Sequence, residues 1–308
     1  MATVQLAALR QVYNDGNHNA FTDLCRFQGR YYLTFRSCPE GHMLFTSSRI
    51  LVLSSEDGQA WSLVHAFSVP ERDVRDPHFL VFQGKLFVYT GTWLVYPGEP
   101  HRLDTNEHQG YCAWSSNGAT WHGPQRCEGT HGYYIWRAAT YGGVAYLNGR
   151  RTKDFMVVPD RKADDALQES WLLQSADGIH WQPLGLIQPA YGDETALLFT
   201  AEGTALAVAR STWGNPAQFC QAQPPYTTWS RQDLERYVGG PLLAQWGKRY
   251  LVGGRKVLDR SKPTTVLYWL SAGHLEEILE LPSGGDTSYP RLCRSDTDAW
   301  LTFLLLQP

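Results

Sequence analysis

The feature that most constrains this chain is a six-fold recurrence of one small pattern. An apolar strand opens on a polar residue, turns tightly, and is followed by a second apolar strand that usually closes on arginine or glycine. Its clearest copy is Asp193-Glu194-Thr195-Ala196-Leu197-Leu198-Phe199, which turns through Glu202-Gly203 into Leu206-Ala207-Val208-Ala209-Arg210. Others run from Phe21-Thr22-Asp23-Leu24 to Phe35-Arg36, from Arg75-Asp76-Pro77-His78-Phe79 to Tyr89-Thr90-Gly91, and from Trp136-Arg137-Ala138 to Asn148-Gly149-Arg150. The last two run from Gly239-Gly240-Pro241-Leu242 to Gly253-Gly254-Arg255, and from Thr287-Ser288-Tyr289-Pro290-Arg291-Leu292 to residues 301–303. Repetition from end to end at a period of some tens of residues is the signature of an array of like units.

A second repeat fixes what those units are. Ser55-Glu56-Asp57-Gly58-Gln59-Ala60-Trp61 recurs as Ser115-Ser116-Asn117-Gly118-Ala119-Thr120-Trp121 and as Ser175-Ala176-Asp177-Gly178-Ile179-His180-Trp181, with the tryptophans 60 residues apart. Asp or Asn before Gly suits a tight hairpin, Ser bonds the turn backbone, and Trp caps the apolar layer between neighbouring sheets. The motif is structural. A weaker copy ends at Trp229, and a degenerate one surrounds Ser271-Ala272-Gly273-His274. Strands separated by such turns read as antiparallel meanders. Helical periodicity is nearly absent, with residues 163–170 and 233–237 the only short candidates.

These units predict an all-β fold, one domain over residues 1–308, in which six four-stranded antiparallel blades form a six-bladed β-propeller. Residues 4–12 are expected to pair with the C-terminal repeat and close the ring, leaving no open sheet edge. Five blades are the alternative, since the Trp spacing of 60 fits that division of the 308 residues.

Composition excludes several classes of function. A formal net charge of −3 and a pI near 6.4 offer no basic surface for a phosphate backbone, so no nucleic-acid partner is expected. No apolar run reaches the roughly 20 residues of a membrane span, so no membrane partner is expected. The opening residues lack the basic and apolar regions of a leader, which predicts a cytoplasmic protein, or a secreted one if a leader has been removed. The six cysteines are scattered, without metal-ligand spacing, and read as reduced thiols. No metal and no cofactor are expected. The oligomeric state stays open.

In a propeller, the starts of the innermost strands and the ends of the second strands line one mouth, while the Ser-x-Asp-Gly-x-x-Trp turns lie on the opposite face. Asp23, Asp76, Arg137, Glu194 and Tyr289 should therefore gather with Arg36, Arg150, Arg210 and Arg255, overhung by His42 and the loop at residues 96–109. Arginines and carboxylates crowded into one concavity either pair or bind a ligand, because burying them alone is costly.

Taken together, the Asp-box turns, Glu194 followed by Arg210, and the late Thr-Ser-Tyr-Pro-Arg-Leu resemble sialidases (neuraminidases) and related bacterial propellers with BNR/Asp-box repeats. The resemblance covers essentially the whole chain and implies an exo-acting, retaining glycoside hydrolase. It assigns Tyr289 as nucleophile and Glu194 as the carboxylate that activates it. A phenol near pKa 10 needs such a base, and sialidases are the tyrosine exception among retaining glycosidases. Arg210, with Arg255 or Arg260, matches arginines that grip a substrate carboxylate. The implied partner is an acidic glycan or small sugar: a sialic acid, another 2-keto sugar acid or a uronic acid. Two positions depart from the family. Its first arginine precedes the first inner strand, where this chain has Asn19-Ala20-Phe21-Thr22-Asp23, so Arg36 is the substitute. Its acid aspartate belongs near residues 38–48, which hold Glu40 and His42 but no Asp. The proton donor is therefore His42, Asp23 or Asp76, with His42 favoured as the near-neutral titrator.

Two other readings compete. Asp23, the Arg75-Asp76-Pro77 triplet and Glu194 also resemble the three carboxylates of five-bladed arabinan- and fructan-processing enzymes, a reading that blade count bears on. The third is a glycan-binding propeller without catalysis, using Trp93, Tyr96, Tyr134 and Trp213 as stacking platforms.

Overall fold

The computed structural model describes residues 4–99, 101–157, 161–212, 214–257, 263–283, 287–294 and 299–303; Trp213 and Arg260 lie outside them. Twenty strands form five four-stranded antiparallel sheets, each a simple meander. Blade 1 comprises β1 (His18–Phe27), β2 (Arg30–Cys38), β3 (Arg49–Ser55) and β4 (Ser62–Phe67). Blade 2 comprises β5 (Arg72–Phe82), β6 (Lys85–Leu94), β7 (Gln109–Ser115) and β8 (His122–Arg126). Blade 3 comprises β9 (Tyr134–Tyr141), β10 (Val144–Thr152), β11 (Gln168–Ser175) and β12 (Gln182–Gln188). Blade 4 comprises β13 (Gly192–Phe199), β14 (Ala205–Ser211), β15 (Gln218–Ala222) and β16 (Ser230–Asp233). Blade 5 comprises β17 (Gly239–Trp246), β18 (Arg249–Lys256), β19 (Thr264–Ser271) and β20 (His274–Glu280). A two-stranded hairpin follows, β21 (Arg291–Arg294) and β22 (Ala299–Thr302).

The innermost strands touch in the order β1, β5, β9, β13, β17, β21 and back to β1, which closes the ring. The expectation of six blades is corrected to five. The sixth inner pair exists, seated between blades 5 and 1, but the described residues after Pro290 supply two strands where each blade uses four. The N-terminal expectation is corrected too. Residues 4–12 form no strand. They cover the closing hairpin with side chains instead: Val12 packs with Cys293 and Trp300, Val4 with Leu292 and Leu301, and the Arg10 guanidinium lies 5.6 Å from the Trp300 ring centroid. Of the helical candidates, the first overlaps α1 (Arg161–Leu167), and residues 233–237 are not helical. Among the described residues no helix is long and apolar enough to cross a membrane.

The core is a set of layers between blades, because each sheet is apolar on both faces near the axis. The Asp-Gly turns seal these layers on the face away from the mouth. Asp57, Asn117 and Asp177 each accept from the two amides beyond the glycine, and Ser55, Ser115 and Ser175 each accept from the glycine amide at 2.8–2.9 Å. The rings of Trp61, Trp121, Trp181 and Trp229 then pack into four interblade clusters. The layer between blades 4 and 5 has no tryptophan, because the β19–β20 turn is the degenerate one. A cavity of about 380 Å³ opens there, lined by residues that include Leu206, Phe219, Tyr250 and Leu270.

One distortion recurs at the mouth of all five blades. Two inner-strand residues face one on the neighbouring strand, so the ladder jumps from Ala20 to Asp23, from Arg75 to His78, from Ile135 to Ala138, from Gly192 to Thr195 and from Gly239 to Leu242. Such bulges bend a strand and re-aim its side chains. The residues so placed are Phe21-Thr22, Asp76-Pro77, Trp136-Arg137, Asp193-Glu194 and Gly240-Pro241. Phe21 and Asp76 take φ of 62° and 51°, a left-handed conformation uncommon for residues with side chains.

Candidate active site

Glu194 stands second in the bulge of β13. Its Oε1 accepts the Tyr289 hydroxyl at 3.0 Å, and its Oε2 accepts from Arg210 Nη1 at 2.6 Å and from the Gly240 amide at 3.0 Å. Two donors thus hold one oxygen while the other faces the phenol. Tyr289 lies just before β21, with φ of 60°. Both groups are buried. Burial, together with the charges of Glu194 and Asp76, pushes the Tyr289 hydroxyl well above its usual value. The phenol is therefore neutral, with a proton acceptor already in contact, which is the arrangement of a nucleophile paired with its base.

Asp76 belongs to the same group of charges. Its Oδ2 accepts the Tyr134 hydroxyl, and its Oδ1 has no protein partner although it is buried. Burial and the Glu194 charge raise the Asp76 carboxyl to about 7, against the opposing pull of Tyr134, Arg75 and Arg150. A carboxyl poised there can carry a proton at neutral pH and release it, as a general acid must.

The arginines divide by partner. Arg210 places Nε 3.1 Å from Asp193 Oδ2, and Arg150 bonds Asp193 Oδ1, so this carboxylate bridges two guanidinium groups. Burial opposes its charge, yet Arg210 and Arg150 hold the Asp193 carboxyl below the usual range. Arg210 Nη2 takes part in neither contact. Arg255, opposite Gly239 in the ladder, donates through Nε to the Thr287 carbonyl at 3.1 Å, and its charge is felt at Tyr289 and Tyr237.

Asp23 and Arg137 form a neighbouring ion pair of 3.1 Å, both almost fully buried. Asp23 also accepts the Phe79 amide at 2.7 Å and faces Arg291 Nε at 3.1 Å, while Arg137 donates to the Pro290 carbonyl at 2.9 Å. Arg36 is not brought to Tyr289. It is fully buried and gives its donors to Asp73 at 2.6 Å and to the carbonyls of Gly41 and Met43. His42 sits exposed on the rim, with ring centroids 5.7 Å from Phe21 and 5.3 Å from His18. Phe21 in turn meets Tyr289 edge to face at 4.9 Å.

Several neighbours escaped the sequence reading. Arg75 bonds Asp73 at 2.6 Å beside Asp76. Tyr134 was read as an exposed platform with Trp93, but both are buried, in one cluster with Phe21, Trp136 and Tyr289. The signal available was position: Tyr134 opens an inner strand, as Glu194 nearly does. Among the described residues no group of three His, Cys, Asp or Glu could hold a metal ion.

No protein-family model matches the chain, and no curated protein matches it by sequence. Solved structures match it in three dimensions. The Hadza microbial sialidase Hz136 superposes with a TM-score of 0.66 at 16% identity, over 89% of this chain and 61% of that one. Trypanosoma rangeli sialidase in complex with 2,3-difluorosialic acid, a covalent intermediate, superposes with a TM-score of 0.68 at 13% identity, over 92% and 51%. The Bombyx mori GH32 β-fructofuranosidase BmSUC1 gives 0.53 at 10% identity, over 82% and 62%. The chain spans between 51% and 62% of the length of these three structures. What it shares with them is architecture: this chain has the sialidase-like β-propeller fold found in glycoside hydrolases.

Proposed function

We propose that this protein is an exo-acting, retaining glycoside hydrolase that removes a terminal acidic sugar, a sialic acid or a related 2-keto or uronic sugar acid. The observation that carries the proposal is the buried hydrogen bond between Tyr289 and Glu194, which joins two residues 95 apart in sequence. Tyr289 Oη attacks the anomeric carbon as its proton passes to Glu194 Oε1. Asp76 donates its proton to the glycosidic oxygen as the carbon–oxygen bond breaks. Water then attacks the glycosyl–tyrosine, giving its proton to Asp76, while Tyr289 leaves and recovers its own from Glu194. A neutral nucleophile suits an anomeric centre that bears a carboxylate, which would repel an anionic one. Arg210 Nη2 and Arg255 supply the grip on that carboxylate. Asp76, buried and within reach of the Glu194 charge, takes the acid role in preference to His42, which sits exposed with its ring near Phe21.

The fructan-type reading matches the five complete blades but asks Asp23 to act chemically. Its contacts with Arg137, Arg291 and the Phe79 amide commit that carboxylate to holding strands together. The test is to trap the glycosyl–enzyme with 2,3-difluorosialic acid and map it by peptide mass spectrometry. The expected result is one fluorosugar on the peptide bearing Tyr289, absent from Tyr289→Phe, which also loses hydrolysis of 4-methylumbelliferyl sialoside. Label on another residue, or a fully active Tyr289→Phe, refutes the proposal.

A further inference from the structure

We infer that Tyr134 is a positioning residue for Asp76: its hydroxyl occupies Oδ2, so the acidic proton is carried on Oδ1, the oxygen left without a protein partner. The inference rests on the reading of Asp76 as the acid. A protonated carboxyl has one hydroxyl oxygen and one carbonyl oxygen. Oδ2 already accepts from Tyr134, so it is the carbonyl oxygen of the neutral form. Oδ1, buried and without a protein partner, is left as the hydroxyl.

Tyr134 is built to hold still. A Cβ on Gly91 would lie 2.8 Å from its Cε2, so only glycine at that position of β6 leaves room for the ring. The imidazole of His108 lies 4.9 Å away, the indole of Trp93 5.9 Å, and the Arg150 guanidinium 5.1 Å from the ring centroid. Asp76 is likewise fixed, in a left-handed bulge followed by Pro77. Two constrained side chains from adjacent blades thus meet at one hydrogen bond.

The charged and titratable groups facing Asp76 are Arg75 on its own strand, Tyr134 and Arg137 from β9, Arg150 from β10, Glu194 from β13, and Tyr289 ahead of β21. Burial and Glu194 favour the protonated carboxyl; the Tyr134 hydroxyl, donating to it, favours the ionised one. Removing that donor therefore makes Asp76 a weaker acid and frees its carboxyl to rotate.

The experiment follows Asp76 directly by carbon-13 NMR titration of aspartate-labelled protein, which needs no substrate. The carboxyl signal is assigned with Asp76→Asn. In Tyr134→Phe the titration should move upward by about one pH unit, the scale of a hydrogen bond to a charged group. Site-specific 3-fluorotyrosine at position 134 keeps the shape and strengthens the donor, and should move it downward. With 4-methylumbelliferyl sialoside and an unactivated sialoside, Tyr134→Phe should lower kcat about tenfold on the second, with KM changed less. A titration unmoved in both variants overturns the inference while leaving the acid reading intact. A pH–rate profile unchanged in Asp76→Asn overturns the acid reading itself.

Discussion

Asp23 offers the sharpest separation of holding from chemistry. It is 1% exposed and bonds β5 through the Phe79 amide, β9 through Arg137 and β21 through Arg291. Burial alone would push its carboxyl up, but Arg291, His78 and Arg137 outweigh burial and hold it far below the ordinary range. A carboxyl depressed in the folded state stabilises the fold above its unfolded value, and that contribution is lost as pH falls below about 4. In Asp23→Ala the Arg137 guanidinium, 2% exposed, loses its ion-pair partner. Breaking a buried pair in this way costs about 3–5 kcal/mol, a large part of the 5–15 kcal/mol that holds a typical domain folded. With a urea slope of about 3 kcal/mol/M, the unfolding midpoint should fall by about 1 M or more at pH 7. Asp23→Asn, which retains an acceptor for the Phe79 amide, should fall between the variant and the parent. The gap to the parent should narrow below about pH 4, where the parent's own carboxylate begins to protonate in the unfolded chain. A midpoint within about 0.2 M of the parent, at an unchanged slope, would refute the reasoning.

Further expectations concern the site itself. Because the Asp76 carboxyl is raised to about 7, its proton is present below that pH, and kcat/KM should fall as pH rises through about 7. Asp76→Asn should abolish that limb and lower kcat about 10²–10⁴-fold on substrates with poor leaving groups, measured against an activated aryl glycoside. By linkage the same raised carboxyl makes the parent lose stability as pH rises from about 4 to 7, so Asp76→Asn should flatten that slope in thermal unfolding. Gly240→Ala adds a Cβ 2.5 Å from Ser288 Oγ and 3.0 Å from Tyr289 Cδ1, at a φ of 56°. Turnover should fall at least about tenfold through displacement of Tyr289, with about 1–2 kcal/mol of stability lost, read by kinetics and urea unfolding side by side.

The strands were legible because they rest on local pattern: alternation, Asp-Gly turns, and polar residues recurring at strand starts; the pairing of Glu194 with Tyr289, 95 residues apart, came only from the resemblance to sialidases. Blade count was harder. Six inner pairs are visible in the sequence and all six form, but whether outer strands follow depends on turns, and the Trp spacing of 60 carried that information better. The bulges were not legible, since Phe21-Thr22, Trp136-Arg137 and Asp193-Glu194 share no residue type. What defines them is register, a property of two strands at once. Arg36 was misplaced for a similar reason. It ends a second strand as Arg210 does, but Asp73, 37 residues away, takes its guanidinium into the joint between blades 1 and 2. The bond from Tyr134 to Asp76 spans 58 residues and was equally invisible.

The segment that joins the last hairpin to the first blade has one more consequence. Ser288 Oγ donates to the Gly239 carbonyl, Thr22 Oγ1 donates to the Tyr289 carbonyl, Arg137 donates to the Pro290 carbonyl, and Arg291 meets Asp23. The same few residues that latch the ring carry the proposed nucleophile, Tyr289. During synthesis the carboxylates and arginines of the five blades are translated before Tyr289, so the residue proposed as nucleophile arrives with the latch itself. On the proposed function, a chain whose ring is open holds the base and the acid without a positioned nucleophile, so unfastening the latch is expected to switch the chemistry off.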